Sequence, residues 1–363
     1  MGKSCCEKID MIKLGIIGCG NMSDSFLDRF HDVDHEIKVV AAVDVDINKT
    51  KKVSEKFQGI ISTTKYFEIF DYIDAALVVL PHHLHYKVAL DCINAGKHVL
   101  LEKPMAITEL QCIELIKASE SQQKVLMIGY VMRYNQLTLA FKDALDKLTV
   151  GNVFQLSIWT EQYTKYPEGH WTNFAKTLGG GQLFSHGCHY IDLLMWFLGK
   201  PVSGTHLGTN FGTPWMEKEG TSNVSIKFEN GSIGYHFGTW GARGTRLGYS
   251  FHAHGEKGML EASFGENKLI LHQSDSSQKI LYSGSKSIKQ TDNELLHFSN
   301  CIKTGSLPNT DARSSLQSLR VIWKLYESEQ KNSVADLRGL GLNEVEKTLK
   351  LRIKSIFFGI DVQ

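Results

Sequence analysis

The chain has 363 residues, 42% hydrophobic and 22% charged, with a formal net charge of +1. It is long enough for two domains, and its charge is too balanced to favour nucleic acid or a membrane surface as partner. No apolar run approaches the ~20 residues that span a bilayer, and the polar start (1–10) lacks the apolar middle of a signal peptide, so a cytoplasmic location is expected. The seven cysteines (Cys5, Cys6, Cys19, Cys92, Cys112, Cys188, Cys301) show no framework or CxxC spacing, so reduced thiols are expected, with Cys5 and Cys6 in a flexible tail.

The apolar run 13–18 reads as a strand entering Gly18-Cys19-Gly20-Asn21-Met22-Ser23, a G-x-G-x-x-S turn. Gly18 suits a tight turn, Gly20 lets backbone approach a pyrophosphate, and Ser23 is small enough for a helix over 24–30 to pack on the strand. The pyrophosphate should rest on that helix's amino end, beside Asn21 and Met22. A second apolar strand, 37–43, ends at Asp44, 24 residues after Gly20 (44 − 20), about where an acid grips a ribose diol. Asp44 repels a 2′-phosphate, so NAD is expected rather than NADP, although Lys49 and Lys51 on the helix over 48–57 are within its reach.

A third strand, 75–80, ends in Leu80-Pro81-His82-His83-Leu84-His85 ahead of a helix over 86–95. The turn Leu80–Pro81 with His82 and His85 is expected under the cofactor ribose. The three histidines lack an accompanying carboxylate, so no metal is expected. Val99, Leu100 and Leu101 form a buried parallel strand after Gly96, and Glu102-Lys103-Pro104 stand at its carboxyl end, where open α/β sheets bind ligands. A Lys in such a place is costly unless paired or used, and Pro104 holds it in an extended conformation.

A helix over 108–121 and a strand over 125–129 complete this pattern, followed by a helix over 137–148 and a strand over 153–161. The loop 162–178 carries Tyr163, Tyr166, His170 and Trp171, whose aromatic faces suit the C–H faces of sugars. Gly179-Gly180-Gly181 then lead into a helix over 183–198, where Ser185 and His189 share one face and Asp192 lies three residues on. The remainder is rich in short strands (221–228, 232–240, 249–254, 268–272), with the hairpin turn Asn230-Gly231, a closing helix over 314–328 and an extra amphipathic helix over 343–358.

Four motifs in this order, the Gly18 fingerprint, Glu102-Lys103-Pro104, the Gly179–Gly181 triplet and His189, resemble the glucose–fructose oxidoreductase and inositol dehydrogenase (Gfo/Idh/MocA) family from about residue 12 to 337. The resemblance implies an α/β Rossmann domain with a doubly wound parallel sheet (11–132), an α+β domain with an open, mostly antiparallel sheet (133–337) for substrate and oligomerisation, and a C-terminal extension (338–363). It implies that Lys103 and His189 are catalytic and that Trp171 approaches the cofactor. Glu102, at the strand tip, belongs to the cofactor site. Tyr163, Ser185 and His186 line the substrate site with Lys103 and His189. Two departures stand out: Ser185 occupies the position of a usual acid, and Thr172 that of an Arg. Arg133, by the same resemblance, marks the crossover between domains.

The expected reaction is hydride transfer between a secondary hydroxyl of a sugar, cyclitol or glycoside, such as a glycoside C3, and NAD, in a homo-oligomer whose partner is a small carbohydrate-like molecule. His189 is the expected base and Lys103 the donor to the same oxygen. Two alternatives share the fold: an NAD-dependent glycosidase that oxidises its substrate transiently, and a non-catalytic nucleotide sensor.

Overall fold

The computed structural model describes residues 11–284 and 289–342; the tail 1–10 and the helix expected over 343–358 lie outside them. The described chain divides into two compact units, the first made of 11–106, 110–134 and 289–312, the second of 107–109, 135–284 and 313–342.

In the first unit β1 (Ile12–Ile17), α1 (Asn21–Leu27), β2 (Ile37–Val43), α2 (Ile47–Lys56), β3 (Ile61–Thr63), β4 (Ala75–Val78), α3 (His82–Asn94), β5 (His98–Glu102), α4 (Glu109–Ser121) and β6 (Leu126–Gly129) alternate. The six strands are parallel in the order β3-β2-β1-β4-β5-β6, so the chain reverses direction across the sheet between β1 and β4. Strands covered on both faces need continuous apolar runs, and β4 and β6 are buried at every residue. Two helices begin earlier than the sequence predicts. α1 starts directly at Asn21 behind Gly20, and α3 starts at His82 because Pro81, with its φ of −54°, is already set for a helix.

The second unit opens with α5 (Gln136–Asp146), capped by the Asn135 side chain, which accepts from the backbone N–H groups of Leu137 and Thr138. Then follow β7 (Val153–Glu161), α6 (Ala175–Leu178), a π-helical turn (Leu183–Gly187) and α7 (Cys188–Leu198). Seven strands come next: β8 (Pro201–Thr209), β9 (Thr221–Phe228), β10 (Ile233–Thr239), β11 (Tyr249–Gly255), β12 (Gly258–Ser263), β13 (Lys268–Gln273) and β14 (Gln278–Ser283). The chain next enters α8 (Thr291–Thr304), which packs in the first unit although the sequence placed it within 133–337. It then returns through α9 (Ala312–Gln330) to β15 (Ala335–Asp336). The nine-stranded sheet has the order β14-β13-β12-β11-β7-β10-β9-β8-β15 and is antiparallel throughout except for β7 beside β10.

Alternation fixes which face of this sheet is covered. In β9, Ser222, Val224, Ile226 and Phe228 are buried while the residues between them are not. In β10, His236 and Gly238 point to the helical side, where a side chain on Gly238 would collide with Gln182, and Tyr235 and Phe237 point to the other. Strands β8, β12 and β14 and helix α8 had no counterpart in the sequence reading.

His236 is fully buried in this layer. The Thr160 hydroxyl donates to the Phe237 carbonyl (3.3 Å), leaving its lone pair for Nε2–H of His236 (3.2 Å), and the ring stacks on Tyr190 at 5.2 Å. Burial pushes this imidazole from 6.5 down to about 3. The folded state therefore binds fewer protons than the unfolded one below pH 6.5, so stability present above that pH is lost as pH falls toward 3. A loss on the order of 3 kcal/mol by pH 4 is expected from this residue. Urea-unfolding midpoints measured against pH should show it, and His236→Gln should flatten the acid slope; an unchanged slope assigns the sensitivity elsewhere.

Candidate active site

The fingerprint turn is built from backbone. The Gly18 N–H donates to the Val43 carbonyl (2.8 Å), and the Cys19 N–H donates to Asp44 Oδ2 (2.9 Å), whose other oxygen accepts from the Asp46 N–H (3.0 Å). Asp44 is thus fixed at the tip of β2, beside the turn. Gly18 has φ +98°, and a Cβ there would lie 2.0 Å from the Val79 carbonyl oxygen, so only glycine fits. At Gly20 a Cβ would meet nothing within 4 Å. Ser23 is buried and donates to the Gly20 carbonyl (2.6 Å). Lys52 holds both the Gly20 carbonyl (3.3 Å) and Asp24. Open space over Gly20, at the start of α1 and next to the acid on β2, fits a dinucleotide's pyrophosphate and ribose.

The same carboxyl edge of the sheet carries the Leu80–Pro81 turn and Glu102–Lys103. Lys103 is half-buried, its peptide bond to Pro104 is cis, and its backbone N–H donates to Glu102 Oε2 (3.2 Å). Glu102 is buried, and burial raises its carboxyl pKa against the opposing pull of Lys103 and Lys289. The structure therefore brings Gly18, Gly20, Asn21, Met22, Asp44, Leu80, Pro81, Glu102 and Lys103 to one edge of one sheet. His82 is buried at the start of α3, its ring 5.6 Å from that of His85.

His85 lies between two backbone carbonyls. It is fully buried, with Nδ1 2.8 Å from the Pro104 carbonyl oxygen and Nε2 2.7 Å from that of Leu80, and burial pushes its imidazole down to about 4 against those two carbonyls. A neutral imidazole has one N–H, so it donates to one of these two carbonyls at a time, and in either tautomer the ring sits between the turn after β4 and the turn after β5. Among the described residues no group of three or more His, Cys, Asp or Glu side chains is arranged to hold a metal ion. The five described cysteines are buried, free thiols, and none of the described helices is long and apolar enough to cross a membrane.

In the second unit the Gly179–Gly181 loop is held by Glu219 and Tyr326. The Tyr326 hydroxyl donates to Glu219 Oε1 (2.5 Å) and accepts from the Gly181 N–H (3.2 Å), while the Gln182 N–H donates to the Glu219 carbonyl (2.7 Å). The loop delivers the chain into the π-helical turn that carries Ser185 and His186, where the sequence predicts an ordinary helix. This wider turn ends at α7, on which His189 is buried. Asp192, placed three residues on, accepts from the Ser318 hydroxyl (3.2 Å).

A polar relay runs beside His189. Ser222 donates to Gln182 Oε1 (2.7 Å), which turns the Gln182 amide nitrogen toward His186 Nδ1 (3.4 Å). Nδ1 is then an acceptor, so Nε2 carries the proton and donates to the Tyr249 hydroxyl (3.3 Å), which in turn donates to Gln162 Oε1. The rings of His186 and His189 are 6.2 Å apart. The sequence reading missed Gln182, Tyr249 and Gln162; their signal was position, at the start of the turn and at the facing ends of β11 and β7.

Tyr163 is exposed, its ring edge-on to Trp215 at 5.8 Å and covered by the Arg243 guanidinium at 5.7 Å. Trp171 packs against Leu178, Met216 and Trp240. Thr172 is buried, its hydroxyl 2.8 Å from His170 Nδ1, and so serves the loop's own geometry. Arg133 donates to the Asn309 carbonyl (3.2 Å) within the first unit.

Comparisons with known proteins agree with this layout. Residues 12–130 match the oxidoreductase family with an NAD-binding Rossmann fold, and 138–261 match the GFO/IDH/MocA C-terminal domain. The chain is 24% identical over 227 residues to inositol 2-dehydrogenase 2 of Saccharopolyspora erythraea, covering 61% of this chain and 65% of that one. It is 25% identical over 201 residues to the D-glucoside 3-dehydrogenase of Escherichia coli, covering 53% and 55%. The matched stretches thus span less than two thirds of either relative. Levoglucosan dehydrogenase, solved with NADH and levoglucosan, has the same fold, with a TM-score of 0.81 over 90% of this chain and 99% of that one at 19% identity. Matched in both its Rossmann and its C-terminal domain, the chain belongs to the Gfo/Idh/MocA family of oxidoreductases.

Proposed function

We propose that this protein is an NAD-dependent dehydrogenase acting on a secondary hydroxyl of a sugar, cyclitol or glycoside, with C3 of a glycoside as the narrower reading. The observation that carries it is Lys103 at the tip of β5, on the sheet edge that also presents the open space over Gly20 and the fixed carboxylate of Asp44. The names of two relatives, an inositol 2-dehydrogenase and a D-glucoside 3-dehydrogenase, support the substrate class. The nicotinamide, when bound, accepts the hydride. NAD is preferred over NADP because a 2′-phosphate would meet Asp44.

In this reading Lys103 donates to the reacting oxygen and stabilises the charge that develops there. His189 takes the hydroxyl proton and returns it in the reverse direction. Ser185, neutral at the position where the family resemblance places an acid, hydrogen-bonds a substrate hydroxyl, while His186, both of its nitrogens held by Gln182 and Tyr249, contributes to the substrate wall by its ring. Tyr163 and Trp171 supply apolar surface for a sugar ring and for the cofactor.

We also propose a homo-oligomer formed through the open face of the large sheet, where Trp159 packs against Tyr235 and Phe237 (ring centroids 5.6 and 5.4 Å) on the side away from α7. Trp159→Glu is expected to lower the mass seen by sedimentation; an unchanged mass refutes this face.

Two substitutions separate the roles of the fingerprint glycines. Gly20→Ala should leave unfolding free energy within about 0.5 kcal/mol yet weaken NAD binding at least about tenfold. Gly18→Ala should cost more than about 3 kcal/mol by its clash and positive φ. Equal effects on stability would contradict the geometry. The chemical test is Lys103→Ala, assayed with a panel of sugars and glycosides against NAD and NADP. NADH should still bind, followed by its fluorescence, while turnover drops roughly a hundredfold or more; retained turnover refutes the assignment. In the wild type, NADH should accumulate in step with oxidised product, whereas a glycosidase that oxidises transiently accumulates none.

A further inference from the structure

Helix α8 brings a second acid to the floor of the cofactor unit. Its amino end is tied to the fingerprint helix and to the exit of β6: the Thr291 hydroxyl donates to the Ser25 carbonyl (2.7 Å), Asn293 Nδ2 donates to the Tyr134 carbonyl (3.2 Å), and Lys289 Nζ lies 3.1 Å from Met22 Sδ. Glu294, in the first turn, is completely buried, and neither of its oxygens has a hydrogen-bond partner among the described residues. Glu102 Oε1 is in the same condition. It lies against Gly129 of β6, where even a Cβ would come within 3.3 Å of it. Three buried acceptor atoms of two acids are therefore unsatisfied in one small region, which is costly if both acids are charged.

The two acids are not equivalent. Glu102 faces two cations, Lys103 and Lys289, and accepts the Lys103 N–H. Glu294 feels burial and the neighbouring Glu102, and its carboxyl pKa rises well above the usual range; no cation among the described residues opposes that rise, and it acts in turn on Tyr134. His85, held neutral chiefly by burial and in smaller part by Lys103, adds no positive charge to this cluster. One proton on the pair belongs on the acid that no cation faces.

We propose that Glu294 is a positioning residue of the reaction centre: it stays protonated beside Glu102, and so leaves Glu102 as the anion that holds the Lys103 and Lys289 ammonium groups in place. A second ionised carboxylate at Glu294 would force the proton onto Glu102 and release the lysines. An apolar residue there would strip Glu102 of a neighbouring dipole with the same result. This inference rests on the catalytic role given to Lys103 above, but its first test does not.

Infrared spectra of the full chain at pH 7 should contain the carbonyl stretch of a protonated, buried carboxyl group. Glu294→Gln should remove that band and Glu102→Gln should keep it. A band that is absent from the wild type, survives Glu294→Gln or vanishes in Glu102→Gln overturns the proposal. Kinetics supply the second test. Glu294→Leu should lower kcat roughly tenfold to a hundredfold with little change in KM, and Glu294→Gln should restore most of it; a fully active Leu variant overturns the positioning role. If Glu294→Leu does not fold, the infrared comparison of the two isosteric Gln variants decides alone. Should Lys103→Ala prove fully active, the catalytic reading fails while the infrared assignment still stands or falls on its own.

Discussion

The close approach of the Gly18 backbone to the Val79 carbonyl is the constraint on which the cofactor unit turns. It sets the tip of β1 between β2 and β4, at the point where the strand order reverses. Any side chain at Gly18 would push these strands apart. Because they stay together, the Cys19 N–H reaches Asp44 and the next backbone groups open onto empty space above Gly20. The site's polarity is thus largely a consequence of backbone geometry: the N–H groups of a helix start, one carboxylate held by two others, and a lysine at the neighbouring strand tip.

The second unit reaches its arrangement by different means. A twisted sheet of nine strands offers a broad, regular face, and regularity alone positions nothing. The irregular elements do that work: a glycine triplet clamped by Glu219 and Tyr326, then a π-helical turn, then α7. The extra residue in the π turn displaces the side chains that follow from where an ordinary helix would put them, and lets Gln182, His186, Tyr249 and Gln162 connect in one chain of hydrogen bonds. Each member of that chain fixes the proton of the next, so the His186 tautomer is set by Ser222, two residues removed from it in the relay.

Local patterns carried much of this into the sequence. The strands 37–43, 153–161 and 221–228 were legible to the residue because apolar alternation or continuity began and ended with them. The fingerprint and Glu102-Lys103-Pro104 were legible because the chemistry needs particular residues at fixed offsets. What failed were contacts between distant parts of the chain. Nothing local to His85 says that the Leu80 and Pro104 carbonyls will converge on its ring. The π turn was invisible because Leu183 and Phe184 keep helical spacing with the residues beyond. Helix α8 did leave a trace, Leu295, Phe298 and Ile302 at helical spacing behind Thr291 and Glu294, but its place in the other unit could not be read from that period.

That return of α8 also explains why the Rossmann unit is not a contiguous segment. Leu295, Phe298 and Ile302 join Ile12, Leu14, Phe26 and Phe30 in one core, and a buried side chain of this size contributes about 1.5–3 kcal/mol. Ser299 and Lys303 both hold Glu36 at the entry to β2 (2.7 Å each), and Thr291 holds the fingerprint helix at Ser25. The first turn of α8 and the helix after β1 are therefore braced against each other, so a residue nearly 300 positions along the chain acts on Glu102, the neighbour of the lysine proposed to do the chemistry. A domain that left the chain once and never returned would have to close this floor with its own residues. Here the substrate unit's sequence is interposed before the closure, so the cofactor floor is complete only when the chain has come back from it.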